Sequence, residues 1–271
     1  MSIFQKPTSA YITGRTRVLG ILAHPTDHVK APTGINRIAV ARGKDAVMVP
    51  LNVSPSDLGR VVTGLRALRS FDGAIVTVPH KQSAISLCDE VSPRAAAVGA
   101  INILRRAHDG RLIGDQLDGV GFVEGLGSQG IEVARRSVYL VGAGGAANAI
   151  AFALAEAGIA RLTLANRTLN KIETLAAKLR NAYPDVKVAI GSADPRGHSL
   201  VVNATTLGMK PSDPLPLDAT LLTPDVVVAE VVMEPEITAL LAAARSAGCR
   251  IHLGHHMLDH QLQLMASFLG L

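Results

Sequence analysis

Lys81 and Asp118 are of the residue types that move protons: an amine just after the apolar run Gly73 to Val78, and a carboxylate within Gly114 to Gly121. Hydride transfer between an alcohol and a nicotinamide needs such a group within hydrogen-bond reach of the hydroxyl, to take its proton or return it. A lysine that follows a strand and turn can aim its amine at a substrate oxygen, and a neighbouring carboxylate would position that amine and favour its charged form. A loop lysine and a loop aspartate are ordinarily surface residues, so this pair alone does not define an active site. Weight comes from the pattern downstream.

There, an apolar run ending at Val141 is followed by Gly142, Gly144, Gly145 and Ala147 and then by a helical stretch closed by Gly158. This is G-x-G-x-x-A in a strand-turn-helix setting. Gly142 permits a tight turn, Gly144 lets the backbone approach a pyrophosphate, Ala147 lets helix and strand pack closely, and the helix N-terminus offers free N–H groups to the anion. A bare β-to-α turn is the competing reading. The next strand ends at Ala165, where an NAD enzyme usually carries an acid, but the chain reads Asn166, Arg167, Thr168 and, one helical turn on, Lys171. A carboxylate would repel a 2′-phosphate, whereas Arg167 can stack on it and fork around it and Lys171 adds charge, so NADP is expected over NAD. The alternative is a solvated helix start capped by Thr168. Asn203, Thr205, Gly208 and Met209 follow a further strand, Ser199 to Asn203, and are candidates to flank ribose and nicotinamide at a sheet's carboxyl edge, or else form a plain loop.

The elements that must position these residues can be read from rhythm. From Arg17 to about Leu104, short apolar runs (Val18 to Leu22, Ala46 to Pro50, Gly73 to Val78) alternate with helical patterns such as Ser56 to Leu68. That predicts an α/β layer with a mainly parallel sheet. A second series begins near Ser137, with runs at Val138, Arg161, Val186, Ser199 and Val226, and predicts a doubly wound domain. The expected division is 1–120 for a substrate-binding and catalytic domain and 121–247 for a Rossmann NADP-binding domain. The 271 residues, 48% apolar and 18% charged, suit two globular cores.

Composition also excludes. Met1 to Ala10 lacks the apolar core of a signal peptide and no uninterrupted apolar run is long enough to cross a bilayer, so a cytoplasmic protein with no membrane partner is expected. Only Cys88 and Cys249 are present; they are expected to be buried apolar fillers, not a disulfide framework or a metal site. The net charge of +5 comes from 27 scattered Lys and Arg, and with 3% aromatic residues no nucleic-acid partner is expected. Two histidine pairs at i, i+4 spacing, His24 with His28 and His256 with His260, lack the Glu and downstream ligand of a recognised zinc motif, so no metal is expected.

Five segments occur together in the order found in the shikimate and quinate dehydrogenase family: Val76 to Lys81, Ala97 to Asn102, Gly114 to Gly121, Gly142 to Ala147 with Asn166 to Thr168, and Gly254 to Gln261. The chain resembles that family over nearly its whole length. The resemblance implies an alcohol dehydrogenase acting on CH–OH groups, with Lys81 and Asp118 as the catalytic pair and Thr77, Asn102 and Gln261 on ring hydroxyls or the carbonyl. It also places Gly254 in the cofactor set, implies a role in aromatic amino acid biosynthesis, and implies that the last helix, 248–271, returns to complete the N-terminal domain. A small cyclic hydroxy acid or polyol is the expected substrate, for a monomer or homodimer.

The departures from the family pattern are concentrated. Its H-S-x-S-P reads His28, Val29, Lys30, Ala31, Pro32, so both hydroxyls that hold the substrate carboxylate are gone. Its D-x-x-Y-x-P has Glu230, Met233 and Pro235; the Asn of its N-x-T-x-P-x-K is Ile75, and the Asn of its G-x-N-T-D is Gln116. The pattern predicts retained chemistry with altered carboxylate recognition. His24, His28 or Lys30 would have to take over the carboxylate if shikimate is used well. A non-catalytic NADP-binding sensor on the same fold is the alternative function.

Overall fold

Continuous apolar runs become buried strands, and the amphipathic stretches between them become helices that cover the sheets. The structure is a computed structural model that describes residues 12–27 and 29–271; His28 therefore lies outside the described residues. Two compact units result, one of residues up to Leu117 with Leu262–Leu271, the other of Asp118–Gln261.

The first unit holds β1 (Arg17–Ala23), α1 (Ala31–Ala41), β2 (Ala46–Asn52), α2 (Leu58–Ala67), β3 (Phe71–Val76), β4 (Glu90–Val91), α3 (Pro93–Val98), β5 (Ile103–Arg106) and β6 (Leu112–Asp115). Its sheet runs β2-β1-β3-β5-β6-β4. β1 pairs in parallel with β2 and β3, whereas β5 is antiparallel to both β3 and β6. The mainly parallel sheet expected from rhythm is therefore mixed on this side. The reason is local: β5 and β6 are joined by a tight turn in which Ala107 N–H donates to the Arg111 carbonyl at 2.8 Å and Gly110 takes φ +89°, far too short a link for a parallel crossover. Leu22, Phe71, Val76, Ile101 and Leu104 fill the core beneath. This topology puts the carboxyl ends of β1, β2, β3 and β6 and the amino end of β5 on one edge of the sheet.

The second unit begins with α4 (Asp118–Ser128) and continues β7 (Ser137–Val141), α5 (Gly145–Glu156), β8 (Arg161–Ala165), α6 (Leu169–Ala182), β9 (Lys187–Ile190), β10 (Leu200–Asn203), β11 (Val227–Glu230), α7 (Ala239–Ser246), β12 (Arg250–His252) and α8 (Gly254–Phe268). All pairs in its sheet, β12-β11-β10-β7-β8-β9, are parallel. The chain winds outward from β7 one way through β8 and β9, then the other way through β10 to β12. That is the doubly wound Rossmann order, with its reversal between β7 and β10.

The C-terminal return differs from the expected 248–271. Arg250 to His252 pairs in parallel with Val227 to Ala229, which places β12 in the second sheet. Only the segment from Leu262 belongs to the first unit, where Arg42 donates to Gln263 Oε1 and to the Leu271 carbonyl, each at 2.9 Å, and Lys44 reaches the Gly270 carbonyl at 3.0 Å. Cys88 is half-buried and Cys249 buried, both as free thiols, and burial pushes Cys88 up to about 11. No helix among the described residues is long and apolar enough to cross a membrane.

Candidate functional site

In the second unit, a cavity of about 540 Å³ opens at the carboxyl ends of β7 and β8, lined by Ala143, Gly144, Asn166, Arg167, Thr168, Lys171 and Thr205 among others. Its floor follows from the turn after β7. Gly142 takes φ +126°, and a Cβ there would sit 2.7 Å from the Ala204 carbonyl oxygen, so only glycine lets these two strand ends approach. Gly144 then caps α5 with extended backbone, Gly145 opens the helix, and Ala147 is buried against the turn. The N–H groups of that first helical turn have no partner inside the helix, which suits them to an anion.

Arg167 and Lys171 are exposed and one helical turn apart, and none of the residues lining this cavity is an Asp or Glu. Thr168 stands at the start of α6 but makes no side-chain cap bond; Asn166 Nδ2 donates to the Thr168 carbonyl at 3.1 Å. A dianionic phosphate placed here would meet two cations and no repelling carboxylate, so the residues fit the 2′-phosphate of NADP.

Asn203, Gly208, Met209 and Gly254 fall outside both the lining and the Gly142 to Ala147 turn. Asn203 is buried and its side chain is committed to its own loop: Nδ2 donates to Glu230 Oε1 at 2.8 Å and to the Leu207 carbonyl at 3.0 Å, while Oδ1 accepts from Thr205 Oγ1 at 2.7 Å. Thr238 Oγ1 donates to the other oxygen of Glu230 at 2.7 Å. Burial pushes the Glu230 carboxyl up, against the hydrogen bonds from Asn203 and Thr238. Asn203 thus shapes the 203–208 loop instead of presenting its amide to a ligand. Gly208 bonds back to Asp213, Met209 is exposed, and a Cβ on Gly254 would meet the Val232 carbonyl, so Gly254 serves the close approach of α8 to the β11 loop. Conversely, Tyr139, Ser192, Leu215 and Pro216 complete the cavity wall. Tyr139 donates to the Ser192 carbonyl at 2.7 Å, and burial raises its phenol to about 12, so it acts as a neutral donor. Sequence reading missed these residues; the usable signal was that β9, like its neighbours, ends at the ligand edge.

Asp118 opens α4 and is buried, accepting a hydrogen bond from the Gln261 side-chain amide of α8. Gly121 makes that possible, because a Cβ there would lie 2.9 Å from the Gln261 Cβ. Met233 stands partly exposed after β11.

In the first unit, Val29, Ala31, Thr77, Lys81 and Asn102 all gather at the shared edge defined by the strand ends. Lys81 is held from behind by its carbonyl, which accepts from Ile101 N–H at 2.9 Å. Buried Asn102 accepts from Leu117 N–H at 2.8 Å and so fixes the residue preceding Asp118. His80 is fully buried and its Nε2 lies 2.8 Å from the Val53 carbonyl, a structural position unsuited to proton exchange with substrate. Burial would raise Asp115, but hydrogen bonds from Arg94 and Ser92 outweigh it and hold its carboxyl below the usual range; Gln116 N–H adds a bond at 2.7 Å. The Asp115–Gln116 stretch is thus a rigid anchor. Lys30 precedes α1 without a side-chain cap bond, Val29 is half-buried, and Ala31 and Pro32 form the first turn. His24 Nδ1 lies 2.9 Å from Asn52 Oδ1.

The histidines sort differently from their i, i+4 spacing. His260 faces Glu124 at 3.9 Å, while the His256 ring packs at a tilt against His255, 4.1 Å between ring centroids, and against His252 at 4.9 Å. Burial pushes the His252 imidazole down to about 4, against a pull from the Gly125 backbone.

Comparison with known proteins agrees with this geometry. Residues 21–104 match the family described as shikimate dehydrogenase substrate binding domain, and residues 126–194 match shikimate / quinate 5-dehydrogenase. The shikimate dehydrogenase (NADP(+)) of Symbiobacterium thermophilum is 42% identical over 258 residues, covering 92% of this chain and 87% of that relative. A crystal structure of a shikimate dehydrogenase in complex with NADP+ superimposes with a TM-score of 0.91 at 31% identity, covering 98% of this chain and 94% of that one. The ligand-free 5-ketofructose reductase of Gluconobacter sp. strain CHM43 gives 0.85 at 29% identity, covering 95% and 99%.

Proposed function

The chain belongs to the shikimate and quinate dehydrogenase family, an NADP-dependent group of oxidoreductases acting on CH–OH, and from that premise we propose that it interconverts a ring alcohol and ketone of a shikimate- or quinate-like substrate with altered carboxylate recognition. When bound, NADP(H) supplies or accepts the hydride. Arg167, Lys171 and the start of α5 hold its phosphates. Lys81 moves the proton at its Nζ, giving it to the carbonyl oxygen in reduction and taking it back in oxidation. Asp118 is the second member of the proposed catalytic pair, and Gln261, bonded to Asp118, orients its carboxylate. Thr77 and Asn102 receive ring hydroxyls.

The observation that carries the specificity reading is that Val29 and Ala31 sit on the same sheet edge as Thr77, Lys81 and Asn102 but offer no hydroxyl. Hydrogen bonds to a charged group contribute about 1.5–3 kcal/mol each, so losing two costs on the order of a hundredfold or more in efficiency toward a carboxylate. The likeness to a 5-ketofructose reductase supports this reading, because a ketosugar has no carboxylate to hold. Initial rates with shikimate, quinate and uncharged cyclic polyols test it. Turnover of at least one ring alcohol, with a high KM for shikimate, is expected; binding of NADPH with no turnover of any would instead support a sensor.

A further inference from the structure

At the start of α8 the side-chain ligand atoms of His255, His256 and Asp259 all lie within 4.8 Å of one another. Metal–nitrogen and metal–oxygen bonds of about 2.0–2.2 Å hold their donor atoms roughly 3–4 Å apart, so small rotations of two half-buried imidazoles and an exposed carboxylate close this set on one ion. The backbone supports that closure. His255 and Asp259 are four residues apart and share a helix face, and the tilted rings of His255 and His256 lie 4.1 Å apart between centroids.

A second observation is independent of the cluster. His252, at the end of β12, is 1% exposed, and beyond a weak approach of the Gly125 backbone its ring nitrogens have no hydrogen-bond partner among the described residues. A buried imidazole left this way is costly, and its ring sits against His256 at 4.9 Å with Phe122 closing the other side at 5.9 Å. Glu236 lies 3.8 Å from His255 Nδ1, where a carboxylate can orient a ligating ring through its second nitrogen.

We infer that His255, His256 and Asp259, backed by His252, form a site for a borderline divalent transition cation such as Zn2+ or Ni2+. Two imidazoles and one carboxylate suit such ions, whereas Mg2+ prefers oxygen ligands. The site lies on the first turns of the helix that also carries Gln261, the partner of Asp118. A bound cation therefore stiffens the element that orients Asp118, which makes this a regulatory or stabilising site separate from hydride transfer.

Titration calorimetry of tag-free, chelator-treated protein with Zn2+, and visible absorption with Co2+, test the assignment. One ion per chain is expected, with His255→Ala and Asp259→Asn each weakening Zn2+ roughly tenfold or more, His260→Ala without effect and Mg2+ not bound. His255 and Asp259 are at the surface, and far-UV circular dichroism confirms that the variants fold. Failure of Zn2+, Ni2+ and Co2+ to bind stoichiometrically, or binding that survives both substitutions or is lost with His260→Ala, overturns the site. NADPH titration and alcohol turnover of the metal-free protein are independent readouts, so failure here leaves the oxidoreductase reading standing.

Discussion

The cofactor cavity of the second unit and the substrate edge of the first unit carry different kinds of sequence change. Around the cavity the glycine turn after β7 is followed by Gly144, Arg167 and Lys171 in the lining, and the lining holds no carboxylate. Along the edge Lys81, Thr77 and Asn102, the residues proposed for proton transfer and hydroxyl binding, remain, while Val29 and Ala31 stand where hydroxyls are expected. Under the proposed function, the difference is that of a cofactor chemistry held constant on one unit while substrate recognition changes on the other.

The largest effect expected is at Lys81. Lys81→Ala should lower kcat by on the order of a hundredfold to ten-thousandfold while leaving NADPH affinity, read by fluorescence titration, nearly unchanged. Near-normal turnover in this variant would remove the contrast between a conserved chemistry and a drifting specificity.

Next is the edge itself. Val29→Ser with Ala31→Ser should raise kcat/KM for shikimate more than about tenfold, mostly through KM, because the regained contacts are made equally in ground and transition states. An unchanged KM would place the carboxylate elsewhere, with Lys30 and the N-terminus of α1 the groups to substitute.

On the cofactor side, Arg167→Ala should weaken NADP(H) about tenfold and leave NAD(H) unaltered, narrowing the preference between them. Equal affinities in the unsubstituted protein would show that the Asn166 to Lys171 segment is a solvated helix start.

The smallest effect concerns pH. The Asp115 carboxyl is held below its ordinary value of 3.8, so its contribution to stability is fully present above that value and is lost as pH falls through its lower folded value. Urea midpoints for Arg94→Ala should therefore fall below those of the native protein at neutral pH and converge with them in strong acid. A constant gap across that range would mean Arg94 acts by packing alone.

Much of this was legible before the structure. β7, β8, β10 and β11 are buried on both faces and have to be continuous apolar runs, and the exposed edge strand β9 keeps the same rhythm, so every strand position in the second unit bar β12 could be found from Val138, Arg161, Val186, Ser199 and Val226. The G-x-G-x-x-A turn and the Arg167–Lys171 pair were equally readable, because phosphate binding depends on short-range backbone geometry. What was hidden depends on sheet order. Ser192, Leu215 and Pro216 reach the cavity only because β9 and the loop after β10 lie at its edge, and nothing in their local sequence says so. Asn203 read as a ligand contact because a polar residue at a strand end faces the crevice, but the buried Glu230 beside it captures its amide. The β5–β6 hairpin was missed because its strands are short, and the boundary near residue 248 moved to 262 because β12, three residues long, pairs with β11.

The central claim is retained hydride chemistry with lost carboxylate recognition, and it is tested most directly by comparing shikimate with its uncharged methyl ester as substrates of the unsubstituted protein. If the proposal that Val29 and Ala31 face the carboxyl group holds, kcat/KM for acid and ester should agree within about threefold, since hydrogen bonds to the charge would otherwise separate them by on the order of a hundredfold. A preference for the acid of that size would contradict the account and show that other groups hold the carboxylate.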